Sequence, residues 1–203
     1  MSVRIKICGV TRVADAELAV ALGAEIVGLN FYPPSPRFLT LERAREIRRA
    51  IGARCLVAGV FVNAARGHID EFRRELNLDL LQFHGDEDED ALAGWPVPVI
   101  RALRLKAGAA YASLPASAAD YLLLDTFHPG LFGGTGQARP LGGLDRLDLA
   151  RVFLSGGLDP ANVGAAAALG PYAVDVASGV EAAPGIKDPA KLRSFIANAK
   201  SAR

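Results

Sequence analysis

Charge of one sign, cysteine, histidine and long apolar runs are all scarce in these 203 residues, and each scarcity excludes something. Twenty-three Lys and Arg against 22 Asp and Glu leave a formal net charge of +1, so no bulk field draws the chain to nucleic acid or to an acidic membrane. Any phosphate it binds must be met by a local site. Apolar residues make up 51% of the chain. They come in runs of about five to eight, well short of the roughly 18 that a transmembrane helix needs. The first ten residues, MSVRIKICGV, hold no signal-peptide core with a small-residue cleavage site. The expectation is a cytoplasmic protein with neither a nucleic acid nor a membrane as partner. Cys8 and Cys55, the two cysteines, cannot build a disulfide framework or a four-thiolate metal site, and the three histidines show no paired ligand spacing. No metal is expected, and a free thiol is left open to a chemical role.

What is there is regular alternation. Apolar strand-like runs cover Val3–Cys8, Ile26–Phe31, Arg54–Phe61, Leu78–His84, Val97–Arg101, Tyr121–Asp125, Arg151–Ser155 and Ala173–Ala177. Their starts lie about 24 residues apart, which is one strand, one helix and two short loops. Helical spacing fills Val13–Leu22, Leu41–Ile51, Ala64–Leu76, Asn162–Leu169 and Pro189–Ala199. Thr11, Thr40 and Asp159 stand where an N-cap belongs, Pro160 where a first-turn proline does, and Gly23, Gly52 and Gly170 where helices stop. The units after the fourth, fifth and sixth strands are the weakest: Asp86–Ala93 is short and acidic, Ala107–Ala119 is alanine-rich, and Thr126–Arg146 reads as a long loop.

Strands alternating with helices imply a parallel sheet, because parallel neighbours need a crossover. Eight such units in this length fit an α/β fold of the small (β/α)8 TIM-barrel type, one domain over residues 1–203. The rival is an open doubly wound sheet. Its dinucleotide fingerprint would follow the first strand, where the chain reads Cys8-Gly9-Val10-Thr11 instead.

A barrel of this type builds its active site at the C-terminal ends of the strands, which directs attention to Cys8, Arg37, His84, Asp125, Ser155 and Ser178. By the two-residue period Arg4, Lys6 and Cys8 face the barrel interior, while Val3, Ile5 and Ile7 face the helices. A thiol beside an ammonium and ahead of a glycine turn is in surroundings that can favour thiolate; a small buried hydrophobe is the equal alternative. Lys6, costly inside a barrel unless paired, has Asp175 and Asp125 as candidate partners. Asp125 closes the run Tyr-Leu-Leu-Leu-Asp, where a carboxyl partly withdrawn from water can hold a proton to donate, or simply cap a loop. Arg37, on the stiff Pro33-Pro34-Ser35-Pro36 loop, suits a bidentate grip on a carboxylate or an ordinary solvated surface. His84 shares the face of Gln82 and lines the mouth or serves as a hydrogen-bonded structural residue. Gly156 and Gly157 after the seventh strand, with Ser178 and Gly179 after the eighth, suit a phosphate met by backbone N–H groups, with no Lys or Arg needed. Thr126–Leu141, with Gly130, Gly133, Gly134 and Gly136, reads as a mobile cover over the mouth.

In this order the chain carries Lys6-Ile7-Cys8-Gly9, Ser35-Pro36-Arg37, Gly59-Val60-Phe61, Gln82-Phe83-His84-Gly85, Leu123-Leu124-Asp125-Thr126, Gly133-Gly134-Thr135-Gly136, Leu154 to Leu158, Ser178-Gly179-Val180-Glu181 and Gly185-Ile186-Lys187-Asp188. With these pieces it resembles the phosphoribosylanthranilate isomerases of tryptophan biosynthesis over essentially its whole length. Phe83 in place of the usual Leu, and the stretch Gln137 to Gly143, depart from that family's pattern. The resemblance implies an Amadori rearrangement of a small phosphorylated substrate, without metal or organic cofactor, by a monomer or homodimer. It implies that Cys8 is the general base, Asp125 the general acid, Arg37 the holder of the anthranilate carboxylate, and the two glycine turns the phosphate site. A sister isomerase of histidine synthesis uses two aspartates, against which Cys8 argues. The pyrophosphate–magnesium site of thiamine phosphate synthase and the Lys/Glu set of indole-glycerol phosphate synthase are not in place. A catalytically silent phosphate-binding barrel is the remaining alternative.

Overall fold

Each expected apolar run becomes a strand, and the eight strands close on themselves in chain order. In the structure, a computed structural model that describes residues 3–105, 114–126 and 144–202, the barrel strands are β1 (Arg4–Ile7), β2 (Ile26–Asn30), β3 (Leu56–Phe61), β4 (Leu80–Phe83), β5 (Val99–Leu105), β6 (Tyr121–Thr126), β7 (Val152–Leu154) and β8 (Ala173–Val176). All pairings around the barrel are parallel, and β1 closes it against β8 with Lys6 opposite Asp175. A closed sheet has no edge and no switch point, so the doubly wound alternative is excluded.

The helices are α1 (Val13–Leu22), α2 (Leu41–Ile51), α3 (Arg66–Leu76), the single turn α4 (Glu89–Leu92), α5 (Val163–Ala168) and α6 (Pro189–Ser201). After β6 the described chain resumes with one 3-10 turn, Leu144–Arg146. Between β8 and α6 lie a 3-10 turn, Ser178–Val180, and a short antiparallel hairpin of β9 (Glu181–Ala183) and β10 (Ile186–Lys187). The sequence reading had no place for this hairpin. The expected cover falls almost wholly outside the described residues: Thr126 ends β6, and 127–143 are not described.

Strand alternation sorts the side chains as the period requires. Ile5, Ile7, Val27, Leu29, Val57, Phe61, Leu81, Phe83, Leu124 and Val176 pack outward against the helices. Ile26, Ala58, Leu80, Ile100, Leu123, Phe153 and Ala173 fill the barrel, with Tyr121 and Tyr172 against its lower end. Above this plug the inward residues turn polar, and that change of chemistry locates the mouth.

Two expected caps move. Arg12, not Thr11, is the N-cap of α1; Thr11 turns its hydroxyl to the Gly185 carbonyl, tying the hairpin to the first loop. Asp159 caps the turn before α5 by accepting from Ala161 and Asn162 N–H, while Asn162 takes the N-cap position. Thr40 accepts from Arg43 N–H as expected. Gly23 ends α1 in the left-handed region at φ 92°. Among the described residues no helix is long and apolar enough to cross a membrane.

Candidate active site

The floor of the mouth is a buried ion pair. Lys6 is fully buried and donates from Nζ to Asp175 Oδ1 at 2.8 Å, and Asp175 Oδ2 accepts from the Ser155 hydroxyl at 3.1 Å. Of the two candidate partners, Asp175 is therefore the one Lys6 uses. Burial works against the Lys6 charge, but the facing Asp175 and the nearby Cys8 outweigh it and raise its pKa.

Cys8 follows β1 one pleat above Lys6, its N–H donating to Val176 carbonyl at 2.8 Å. Room for the thiol comes from Gly28 on β2, where a methyl group would stand 2.9 Å from Sγ. Two cations stand near this thiol, one of them the Lys6 that the sequence suggests, and opposing influences hold its pKa above the ordinary value. Burial pushes the thiol up, Asp175 adds to this, and the cations of Lys6 and Lys187 offset only part of it. Adjacency to a lysine was legible, but the degree of dehydration was not. Cys55, just before β3, is buried.

Asp125, buried at the end of β6, lies across the mouth from the β1 end, with β7 and β8 between. His84 Nε2 is 3.4 Å from Asp125 Oδ2. The other ring nitrogen, Nδ1, is 3.1 Å from Gln82 Nε2. With the Gln82 amide assigned this way, its Nε2 donates to His84 Nδ1. His84 Nε2 is itself buried, with the Asp125 carboxylate beside it.

Arg37 is not on a solvated surface. It packs over Gly9, where any Cβ would overlap its side chain. The guanidinium is held by Glu181, with Nε to Oε1 at 2.9 Å and Nη2 to Oε2 at 2.6 Å. Glu181 also accepts from Lys187 Nζ at 2.8 Å. Burial opposes the Glu181 charge, yet the Arg37 hydrogen bonds and Lys187 hold its carboxyl below the usual range. Burial likewise pulls the Lys187 pKa down, with Glu181 opposing. The proline loop brings Arg37 here, and the hairpin orients it.

The glycine turns after β7 and β8 meet as expected. Gly157, Ser178 and Gly179 line one cavity of about 440 Å³, together with Leu158, Asp159, Pro160, Ala161 and Lys191; Gly156 is not in its lining. Gly156 and Gly157 have φ of 86° and 69°, values open to glycine. At Gly179 a Cβ would overlap the Leu158 carbonyl, so only glycine lets the two loops touch. Lys191 also borders this cavity, its Nζ donating to Glu181 carbonyl at 2.8 Å.

Gly28, Glu181, Lys187 and Lys191 had been given no role by the sequence reading. A signal for one pair existed: Pro184-Gly185 is a turn flanked by Glu181 and Lys187, which a hairpin brings face to face. Among the described residues no three His, Cys, Asp or Glu side chains converge in a set that could hold a metal ion.

The chain is similar to known proteins over its length. The family described as N-(5'phosphoribosyl)anthranilate (PRA) isomerase matches residues 5–198. The N-(5'-phosphoribosyl)anthranilate isomerase of Pseudomonas fluorescens (strain Pf0-1) is 47% identical over 200 residues, 96% of this chain and 97% of its own. Among solved structures, the phosphoribosyl anthranilate isomerase from Thermus thermophilus superposes with a TM-score of 0.84 at 38% identity, covering 98% of this chain and 100% of its own. A further isomerase of this kind, solved in complex with reduced 1-(o-carboxyphenylamino)-1-deoxyribulose 5-phosphate, gives 0.77 at 34% identity, covering 98% of each chain. Sequence agreement of this extent, on the same barrel from end to end, means that the chain belongs to the phosphoribosylanthranilate isomerase family.

Proposed function

We propose that the mouth of this barrel carries out its family's reaction with a thiol and a carboxyl as opposed base and acid. The reaction is the isomerisation of N-(5′-phosphoribosyl)anthranilate to 1-(2-carboxyphenylamino)-1-deoxyribulose 5-phosphate, an Amadori rearrangement in tryptophan biosynthesis. In our reading Asp125 gives a proton to the furanose ring oxygen, and the ring opens to a Schiff base at C1′. Cys8 Sγ removes the proton from C2′, which leaves an enolamine. The enolamine takes a proton at C1′ and gives up the proton of its C2′ hydroxyl, becoming the ketone at C2′, so C1′ is reduced, C2′ is oxidised and no outside electron acceptor is needed.

The observation that carries this reading is one thiol and one carboxyl at opposite sides of a single mouth, Cys8 after β1 and Asp125 one residue before the end of β6. Two groups on opposite sides can act on opposite faces of the same sugar. A thiol that burial has made harder to ionise is the stronger base once ionised, which suits removal of a carbon-bound proton. Arg37 takes the anthranilate carboxylate, and His84, beside Asp125, belongs to the substrate-binding set. The cavity at Gly157, Ser178 and Gly179 takes the phosphate, with Gly156 shaping the turn and Lys191 adding a charge. Substrate and product are both multiply charged and do not cross a bilayer unaided, so the compartment we propose is the cytoplasm.

The test is to add the protein to N-(5′-phosphoribosyl)anthranilate and follow the anthranilate-derived fluorescence. A fall whose rate is proportional to protein concentration is expected. Decay no faster than in buffer alone would contradict the reading.

A further inference from the structure

We propose that Glu181 and Lys187 are positioning residues, which fix Arg37 so that only its end-on fork meets the ligand carboxylate and tie that arginine to the backbone of Cys8. This rests on the reading of Arg37 as the carboxylate-binding residue.

A guanidinium has five N–H donors, arranged so that a carboxylate can dock side-on at Nε and Nη2 or end-on at Nη1 and Nη2. Glu181 fills the side-on fork with both of its oxygens. The end-on fork is the one left for a ligand, and an arginine held this way has less freedom to lose on binding. The pair Arg37–Glu181 is neutral on its own. Lys187, 1% exposed, returns one positive charge to the group, which one carboxylate then balances.

Lys187 does not meet the ligand itself. Its three donors are all used within the chain: on Glu181 Oε1 at 2.8 Å, on Cys8 carbonyl at 2.6 Å and on Ala177 carbonyl at 3.1 Å. It thereby links the carboxylate-holding arginine to the strand end that bears the thiol. The hairpin supplies the rigidity. Glu181 and Lys187 are in register across β9 and β10, Lys187 N–H donates to the buried Asp15 Oδ2 at 3.0 Å, and Thr11 holds Gly185. Asp15 is itself fixed by Arg12 through two hydrogen bonds.

The test is a double-mutant cycle on Arg37→Met and Glu181→Gln. The readout is the affinity ratio of two reduced product analogues, one with the ring carboxylate and one without. In the wild type the carboxylated analogue binds tighter, and Arg37→Met removes that preference. Glu181→Gln is expected to lower the preference about tenfold, with kcat/KM falling mainly through KM, because the fork is no longer held. Added to Arg37→Met it should change the ratio less than about twofold, since its effect runs through Arg37. A preference that is unchanged in Glu181→Gln overturns the proposal. So does one that rises, as the count of charges alone would have it. If Glu181→Gln does not fold, Glu181→Asp keeps the charge one methylene shorter and is expected to lower the preference about threefold; an unchanged ratio there overturns the proposal equally. A wild type without the preference, or one that keeps it in Arg37→Met, refutes the Arg37 reading itself and the positioning role with it. A normal Arg37 effect beside a silent Glu181 refutes only the positioning.

Discussion

Lys6 and Asp175 stand opposite each other on the closing pair of strands, β1 and β8, and their 2.8 Å ion pair lies directly under Cys8 in the fully enclosed part of the barrel. The arrangement fixes the chemistry of the thiol from below: the ammonium favours its ionisation and the carboxylate opposes it.

Lys6→Met should therefore raise the Cys8 pKa further and leave Asp175 buried without its partner. Breaking a buried pair by removing one member costs about 3–5 kcal/mol. Urea unfolding at neutral pH measures this, and a loss below about 1 kcal/mol would contradict the pairing. The Lys6 pKa is raised in the folded protein, so the pair's contribution is fully present below about pH 10.4 and is lost as pH rises through the folded value. The stability gap between wild type and Lys6→Met should narrow in strong alkali.

Cys8 must be ionised to act as base, and burial pushes its thiol up. The profile of kcat/KM against pH should then have a rising limb that levels off only above about 8.5, the ordinary value for a thiol. Lys6→Met should move that limb further up. A limb that is complete well below pH 8.5 would show that the thiol is more acidic than its burial allows, or that another group is the base.

Much of this fold was legible because barrel strands repeat a local pattern. The eight runs become the eight strands, and α1 and α2 occupy the expected spans Val13–Leu22 and Leu41–Ile51. The inward set Lys6 and Cys8 followed from alternation alone. What escaped the sequence reading depends on contacts between distant segments. Arg37 and Glu181 are 144 positions apart, and nothing near either residue announces the pair. Gly28 reads as an interruption in an apolar strand until Cys8 is seen against it. Thr11 has the chemistry of an N-cap, but its hydroxyl serves the Gly185 carbonyl, 174 positions away in the hairpin after β8. Lys191 sits in the first turn of α6, and only the meeting of two loops brings it to the cavity wall.

Gly179→Ala should loosen that meeting. The added methyl group overlaps the Leu158 carbonyl, a backbone atom that cannot swing aside, so the loops after β7 and β8 must part. A stability loss of about 1–3 kcal/mol and at least a tenfold weaker affinity for inorganic phosphate are expected. Calorimetric titration with phosphate is the check. Unaltered binding would mean that the anion is held elsewhere.

The central claim is the division of labour between Cys8 and Asp125, and single-turnover kinetics on Cys8→Ala and Asp125→Asn with saturating protein tests it most directly. The account predicts that each substitution slows conversion of N-(5′-phosphoribosyl)anthranilate by about 10² to 10⁴ while affinity for the product analogue changes only a few fold. Conversion by either variant at a rate close to that of the wild type would contradict the account, because the chemistry would then lie with a different pair of groups.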